Sequence, residues 1–223
     1  MNLVVFDIDG TLIQYHKKKN DLAYVRAVRE TFGIKIEDDW ASYIHSTDSG
    51  ILSEIIEKNR GRSCTPEDVV LFKKNMNSWL DREYGKEPFE CTPGAKECLN
   101  EIGNDSDWTA AIATGNWEFS GGYKLQSGGL DFKGIPFASA DDGITRESIL
   151  QAARAKAEKA LLTRPFEKIV YVGDWIWDVK AAETLGWGFI GIASGEEEKA
   201  IREAGAKQVI PDFSRLRKLL NRI

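Results

Sequence analysis

Two carboxylates separated by a single residue lie near the amino terminus of the sequence. Asp7 and Asp9 follow the apolar run 3–6 and precede Gly10-Thr11, a composition typical of a buried strand that ends at a turn. In open α/β sheets ligands bind beyond the carboxyl ends of the strands, so both acids are expected to face a substrate crevice. The alternative interpretation is that Asp9-Gly10 only forms a turn.

A second pair of acids follows another apolar run, late in the chain. Asp174 comes after the predicted strand 168–172 and Gly173, and Asp178 follows four residues later, where the next helix is expected to begin. Because four residues make about one helical turn, both acids can face the same crevice. A structural N-cap explains Asp178 equally well, but it does not explain Asp174.

Acids that converge on one site repel each other strongly unless a divalent cation lies among them. Ligands that are all oxygen select a hard cation, and magnesium typically takes one or two carboxylates together with waters and substrate phosphate. The sequence therefore predicts a magnesium site formed by Asp7, Asp174 and a main-chain carbonyl of the first turn.

A third predicted strand end carries groups that could bind phosphate. The motif Thr114-Gly115-Asn116 follows the predicted strand 108–113. It offers a hydroxyl and several backbone amides, and the glycine makes this stretch of backbone more flexible. Both suit phosphate oxygens. The alternative is an ordinary turn that caps the following helix.

The composition predicts a soluble globular protein. The 223 residues are 42% hydrophobic and 29% charged, enough for one large domain or a domain with a smaller insertion. The net charge of -5 gives no basic face for nucleic acid. No run approaches the roughly 20 apolar residues of a membrane span, and the amino terminus does not resemble a signal peptide. We therefore expect a cytoplasmic protein that does not bind membranes.

The cysteines and histidines exclude other kinds of site. Cys64, Cys91 and Cys98 are odd in number and irregularly spaced, which argues against a disulfide framework and a zinc site. His16 and His45 are the only histidines. They are too few for a histidine-based zinc centre, and they leave Ser-His catalysis without a plausible base.

The elements that must position these residues alternate between strand and helix in the second half of the chain. Strands are predicted over 3–6, 108–113, 136–138, 168–172, 189–192 and 208–210. The intervening helices imply a parallel sheet covered on both faces. Between the first strand and residue 88 only helices are predicted, over 21–32, 37–45, 49–58 and 66–84.

The motifs Asp7-Ile8-Asp9-Gly10-Thr11, Thr114, a later basic residue and Gly173-Asp174-x-x-x-Asp178, in that order, resemble those of the haloacid dehalogenase superfamily. The resemblance spans almost the whole chain. It implies an α/β protein with a Rossmann-like, doubly wound parallel sheet core over residues 1–14 and 89–223. It also implies a small all-helical cap domain over residues 15–88.

The same resemblance implies a phosphatase that hydrolyses a small phosphomonoester metabolite through an aspartyl-phosphate, with magnesium. Asp7 would be the nucleophile and Asp9 the general acid and base, which contacts the metal only through its main-chain carbonyl. Asp174 would complete the metal site, and Asp178 would support it directly or through water. A metal-bound carboxylate stays ionised, whereas Asp9 keeps a more usable proton affinity, so the two roles can be separated.

The resemblance also requires a fixed positive side chain before a helix, and Arg146 is the best candidate. The superfamily more often has lysine there. Arginine suits the chemistry, because its permanent charge and planar fork can hold phosphate. The alternative is an exposed arginine at a helix start. Lys124 and Lys133 are less well placed in the sequence.

Substrate specificity is expected to reside in the helical insertion. The polar stretch 46–50 contains Thr47 and Asp48, which could reach the substrate when the cap closes and excludes water. Both residues are also favoured at helix starts, and that interpretation is preferred.

Several related activities fit the motifs less well. A dehalogenase needs neither the acidic cluster nor Asp9, and a carbon–phosphorus hydrolase usually replaces that acid. A phosphomutase shares the core residues and stays an open alternative. A non-catalytic phosphoacceptor or binding module also combines acids, a threonine and a basic residue, but the long insertion and Asp9 favour an enzyme.

Overall fold

One parallel sheet organises the protein in the computed structural model, which describes residues 1–15, 17–84, 88–162 and 165–222. Its strands are β1 (Asn2–Phe6), β2 (Trp108–Ala113), β3 (Phe137–Ala138), β4 (Ile169–Gly173), β5 (Gly188–Ile192) and β6 (Gln208–Ile210). They lie in the order β3-β2-β1-β4-β5-β6, and every neighbouring pair is parallel. The strand order changes direction at the central strand β1, so the sheet is doubly wound and the predicted Rossmann-like α/β fold is confirmed.

The central strand is fully buried and lies between two strands that come much later in the chain. Leu3 pairs with Thr109 of β2 on one side and with Ile169 of β4 on the other. Residues 3–6 have no exposed surface. Burial on both faces explains why this strand is a continuous apolar run.

Helices follow most of the strands. After the insertion the chain forms α4 (Ala95–Gly103), α5 (Glu118–Ser127), α6 (Arg146–Leu161), α7 (Ile176–Leu185), α8 (Gly195–Glu203) and α9 (Leu216–Leu220). The first three helices, α1 (Lys17–Phe32), α2 (Asp48–Arg60) and α3 (Pro66–Tyr84), lie between β1 and α4. Within the described residues, no helix is both long and apolar enough to cross a membrane.

The helical insertion leaves and rejoins the sheet region through two adjacent chain segments. Gln14 donates its backbone N–H to the Glu90 carbonyl at 2.8 Å, and Thr92 donates to the Leu12 carbonyl at 3.0 Å. These bonds lie beside the predicted cap boundaries. Residues 85–87 and His16 lie outside the described residues.

One predicted helix of the insertion is wrong. Instead of a helix over 37–45 the chain forms a single 3₁₀ turn, Trp40–Ser42. The Trp40 ring packs edge-on against Tyr24 of α1 at 5.4 Å and stacks with Tyr43 at 6.1 Å. These aromatic contacts hold the segment in an irregular path that its sequence periodicity did not reveal.

Candidate active site

The carboxyl ends of β1, β2 and β4 open onto a cavity of about 870 Å³. Asp7 follows β1, Gly115 and Asn116 follow β2, and Asp174 follows β4; all four line the cavity. The sheet order explains this convergence, because β1 lies between β2 and β4 and parallel strands end at the same edge. Residues from three distant parts of the sequence therefore meet at one place.

Three carboxylates form a compact group at this edge. Among the described residues, Asp7, Asp174 and Asp178 each place one oxygen within 4.8 Å of the others. Asp7 is 4% exposed and Asp178 is fully buried. The turn after β1 admits Asp174 only because residue 10 is glycine: a Cβ there would lie 1.9 Å from Asp174 Oδ2. Gly10 also has a backbone φ angle of 75°, which residues other than glycine rarely adopt.

Asp178 supports the group from behind instead of lining the cavity. Its carboxylate accepts backbone N–H bonds from Asp174 at 3.3 Å and Trp175 at 3.1 Å, at the start of α7. It also accepts a 2.8 Å bond from the Tyr171 hydroxyl. Of the two acids of this motif, Asp174 lines the cavity, whereas Asp178 reaches the acidic group from a fully buried position.

Arg146 provides the positive charge beside these acids. It is the first residue of α6, and Thr145 and Ser148 bond to each other's backbone N–H in a capping box that fixes the helix start. The Arg146 Nη1 donates to Asp7 Oδ1 at 3.1 Å, and its Nε lies 3.5 Å from Asp178 Oδ1. The side chain is only 10% exposed, so it is not an ordinary surface arginine.

One arginine does not neutralise three closely spaced carboxylates. Burial raises the pKa of Asp7 to about 8, with further increases from Asp178 and Asp9 and a partial decrease from Arg146. Burial and the same neighbouring acids raise the pKa of Asp174 well above its usual range. Burial alone would lower the pKa of Arg146, but Tyr171 and the surrounding carboxylates raise it overall.

This excess of negative charge fits a bound divalent cation. The donors are carboxylate oxygens, which select hard cations such as magnesium or calcium. The raised pKa of Asp7 marks a site where the ionised carboxylates have too little compensating charge. The residues present therefore suit the cation that the sequence predicts.

Asp9 has different partners, although it is only two residues from Asp7. Lys124 donates to both of its carboxylate oxygens, at 2.8 and 2.6 Å. The Asn116 side-chain amide donates to Asp9 Oδ2 at 2.6 Å, and Lys124 donates to Asn116 Oδ1 at 2.9 Å. These three side chains, Asp9, Asn116 and Lys124, form a group that we call the lysine clamp.

The structure therefore corrects the placement of Lys124. This lysine is 4% exposed and reaches the site, whereas Lys133 is exposed. Lys124 lies on the same face of α5 as the buried residues Ser120 and Gly121, a face that the sequence does not mark as apolar.

The turn after β2 is organised by Thr114. Its fully buried hydroxyl accepts from the Asn116 backbone N–H at 3.1 Å and from the Asn116 side chain at 2.8 Å. Thr114 does not line the cavity, but Gly115 and Asn116 do. A hydroxyl that accepts hydrogen bonds can still donate its own proton.

The start of α2 contacts the core loops beside the cavity. Thr47 caps this helix by accepting from the Gly50 backbone N–H at 3.1 Å, and its hydroxyl donates to the Ile144 carbonyl at 2.5 Å.

Asp48, the next residue, also contacts the core. Its carboxylate accepts the Trp117 backbone N–H at 2.9 Å, and its own backbone N–H donates to the Gly115 carbonyl at 2.7 Å. Burial raises the pKa of Asp48 to about 6, while the bond from Trp117 and the charge of Lys124 act in the opposite direction. The capping role preferred for Thr47 is confirmed, and both residues also connect the insertion to the core.

Comparison with known proteins gives a family and several similar folds. The family model described as haloacid dehalogenase-like hydrolase matches residues 1–186. A search of curated proteins found no match. Among solved structures, a hydrolase from Pseudomonas syringae is 22% identical in sequence, with a TM-score of 0.74. The match covers 100% of this chain and 99% of the other.

Two other similar structures differ in described activity. A predicted phosphoglycolate phosphatase from Haemophilus somnus is 18% identical with a TM-score of 0.64, covering 98% of this chain and 97% of its own. An archaeal β-phosphoglucomutase from a Pyrococcus strain is 18% identical with a TM-score of 0.57, covering 99% of this chain and 98% of its own. At these identities the similarity establishes the fold alone.

Proposed function

The chain belongs to the haloacid dehalogenase-like hydrolase family, and we propose that it is a magnesium-dependent phosphatase acting on a small phosphomonoester. The observation that carries this proposal is the different surroundings of two neighbouring acids. Asp7 lies beside Arg146 in a group of three carboxylates, whereas Asp9 is held separately by Lys124. A nucleophile and a proton donor require this kind of separation.

In the proposed reaction an oxygen of the Asp7 carboxylate attacks phosphorus, and the bond from phosphorus to the leaving oxygen breaks. Asp9 gives its proton to that oxygen, so the product leaves as an alcohol. Water then attacks the phosphorus of the aspartyl-phosphate while Asp9 takes a proton from the water. Asp7 is released and inorganic phosphate is formed, which restores the starting state.

The buried carboxylates are the proposed magnesium ligands. Asp7 and Asp174 would hold the ion with the main-chain carbonyl of Asp9, and Asp178 would support them. When bound, magnesium would keep Asp7 ionised and draw negative charge from the phosphate oxygens. The raised pKa of Asp7 supports this assignment, because a second positive charge is needed to stabilise its ionised form.

Arg146 and the turn after β2 form the proposed phosphate-binding side. The guanidinium beside Asp7 can offset charge on the attacking carboxylate and on phosphate oxygens. Gly115 and Asn116 line the same cavity, but the N–H donors of Asn116 are bonded to Thr114 and Asp9. We therefore propose that Arg146 and the turn at Gly115 bind phosphate, and that Thr114 and Asn116 hold this turn in shape.

The cavity supports a small phosphorylated metabolite as substrate. Its volume of about 870 Å³ falls within the range of small-molecule sites. We further propose that residues 15–88 act as a cap, because Thr47 and Asp48 connect that segment to loops beside the cavity. The side of the cavity formed by the cap would then select the leaving group.

A screen of phosphorylated metabolites and an aryl phosphate, with magnesium or with EDTA, tests the proposal. We expect release of inorganic phosphate only with magnesium, and loss of this activity in Asp7→Asn and Asp9→Asn while circular dichroism shows an unchanged fold. Activity that persists in EDTA or in Asp7→Asn would contradict the mechanism. Phosphate transfer between two hydroxyls without phosphate release would instead indicate a phosphomutase. A stable phosphoprotein without turnover would indicate a phosphoacceptor.

A further inference from the structure

Lys124 is a buried lysine whose three N–H donors are all used. Two bond to Asp9 Oδ1 and Oδ2, and the third bonds to Asn116 Oδ1. Its side chain is 5% exposed, whereas that of Asp9 is 21% exposed. Lysine is almost never fully buried unless it is paired. The bonds to Asp9 and Asn116 therefore explain why a lysine can be buried at this position.

The way α5 packs brings Lys124 to this place. At Gly121 an added Cβ would lie 3.1 Å from side-chain atoms of Ile8, Thr114 and Phe137, so the absence of a side chain lets the helix lie close to the ends of β1 and β2. Lys124 follows three residues later on the same face of the helix. Its ammonium therefore reaches the turn that carries Asp9.

The other partner in the clamp is also fixed. Thr114 accepts two bonds from Asn116, one from the backbone and one from the side chain. The Asn116 amide therefore has a set orientation, with its nitrogen toward Asp9 and its oxygen toward Lys124. Both oxygens of Asp9 thus have donors in defined directions.

We propose that Lys124 is the positioning residue for proton transfer by Asp9, a role that rests on the proposed phosphatase function. Arg146 accompanies the nucleophile Asp7, and Lys124 accompanies Asp9. With Asn116, it holds the Asp9 carboxylate in one orientation. Its fixed ammonium stabilises the negative charge left on Asp9 when the proton moves to the leaving oxygen.

The role predicts an effect that depends on the leaving group. An alkyl phosphate needs proton donation to its departing oxygen, whereas 2,4-dinitrophenyl phosphate departs as a stable phenolate and needs little. In a reaction through a covalent intermediate, kcat/KM reports only the steps up to departure of the leaving group. Comparing kcat/KM for the two substrates therefore isolates proton donation from the later hydrolysis.

The test compares Lys124→Met and Lys124→Arg with Asp9→Asn, and uses Lys133→Met as the exposed-lysine control. We expect Lys124→Met to lower kcat/KM for the alkyl phosphate by about 100-fold and for the dinitrophenyl ester by less than about fivefold. Lys124→Arg should recover at least about tenfold of the alkyl phosphate loss, because it restores a positive donor. The Asp9→Asn/Lys124→Met double variant should lose little beyond Asp9→Asn alone.

Equal losses for both substrates, no loss, or additive losses in the double variant would overturn the proposal. A crystal structure of Lys124→Met supplies a readout that does not need turnover: we expect the Asp9 carboxylate to leave Asn116, and to stay beside it in Lys124→Arg. An unchanged Asp9 in Lys124→Met would refute the positioning role. By contrast, wild-type protein that hydrolyses neither ester while Asp9 moves as expected would refute only the phosphatase function.

Discussion

The carboxylates of Asp7 and Asp9 extend from the same turn into opposite electrostatic settings. Asp7 belongs to a group in which three acids share Arg146, and burial raises its pKa to about 8. Asp9 accepts hydrogen bonds from Lys124 on both oxygens and from the Asn116 amide. On the Asp7 side the negative charge therefore exceeds the positive charge of Arg146, whereas on the Asp9 side the carboxylate is paired with a lysine.

This difference shows how one turn can give two identical residues separate chemical tasks. The Asp7 side, with its excess of negative charge, is suited to bind a cation, and a phosphate can bind next to that cation. The Asp9 side is suited to hold one carboxylate in a defined direction without a metal. Environment, and not residue type, assigns the roles.

The largest expected effect separates the two sides by magnesium binding. Asp174→Asn removes a proposed ligand, so magnesium affinity measured by titration calorimetry should fall by at least about 100-fold, the upper end of the loss for residues that only support a ligand. Asp9→Asn should keep magnesium affinity within about threefold yet lose about 100- to 10,000-fold in kcat/KM, the range for general acid–base catalysis. Equal magnesium affinity in wild type and Asp174→Asn would contradict the division.

The next effect concerns the stability of the metal-free protein. Arg146→Met leaves the three acids without their arginine, and removing one partner of a buried ion pair typically costs about 3–5 kcal/mol. We expect a loss of that size in the free energy of unfolding, measured with urea in EDTA at pH 9, above the pKa of about 8 of Asp7. Arg154→Met is the control, because Arg154 forms a half-exposed pair with Glu158 on the outside of α6 and should cost less than about 1 kcal/mol. Similar losses in both variants would argue against a special role for Arg146.

A third effect is the pH dependence of stability without metal. Because the pKa of Asp7 is raised from 3.8 to about 8, the folded protein binds a proton that the unfolded chain has already lost. The free energy of unfolding should therefore decrease as the pH rises from about 5 to 8, by at most about 1.4 kcal/mol per pH unit for one proton. Saturating magnesium should flatten this slope, because the ion replaces the proton. Denaturation in EDTA at several pH values measures the slope, and an increase of stability with pH would contradict the charge imbalance.

The smallest effect concerns the contact between insertion and core. Thr47 caps α2 and also donates to Ile144. Thr65 caps α3 by accepting the Asp68 backbone N–H at 3.3 Å, and its other side-chain bonds are to Glu67 and Asp68 of the same helix start. Replacing either threonine with alanine should cost about 1 kcal/mol of stability through the lost cap. Only Thr47→Ala should also change KM, because it alone loosens the insertion beside the cavity. Unchanged kinetics in both variants would show that this junction does not affect the site.

Local sequence signals predicted most of the fold. The helix expected over 66–84 matches α3 at both ends, and the strand expected over 168–172 differs from β4 by one residue. These elements have strong apolar patterns and clear boundaries. The segment 37–45 was mispredicted because the contact of Trp40 with Tyr24, which is remote in sequence, determines its path.

The candidate site was predictable where its residues stand at strand ends or helix starts. Asp7, Asp174 and Arg146 converge as the order of elements requires. Lys124 was undervalued because it lies in the last turn of a helix and not at a strand end or helix start, and a sequence does not show which distant turn a helix face will contact. The buried position of Asp178 depends equally on the Tyr171 hydroxyl, a contact that spacing alone does not reveal.

The central position of β1 has a consequence for biosynthesis. Leu3 finds its partners only in Thr109 and Ile169, so this apolar strand leaves the ribosome long before either neighbour exists. At translation rates of roughly 5–20 residues per second, the strand waits on the order of ten seconds for β4. During that time an exposed run of valines and phenylalanine is open to aggregation or to chaperone binding. The strand that precedes the proposed nucleophile is thus also a segment that needs protection during synthesis.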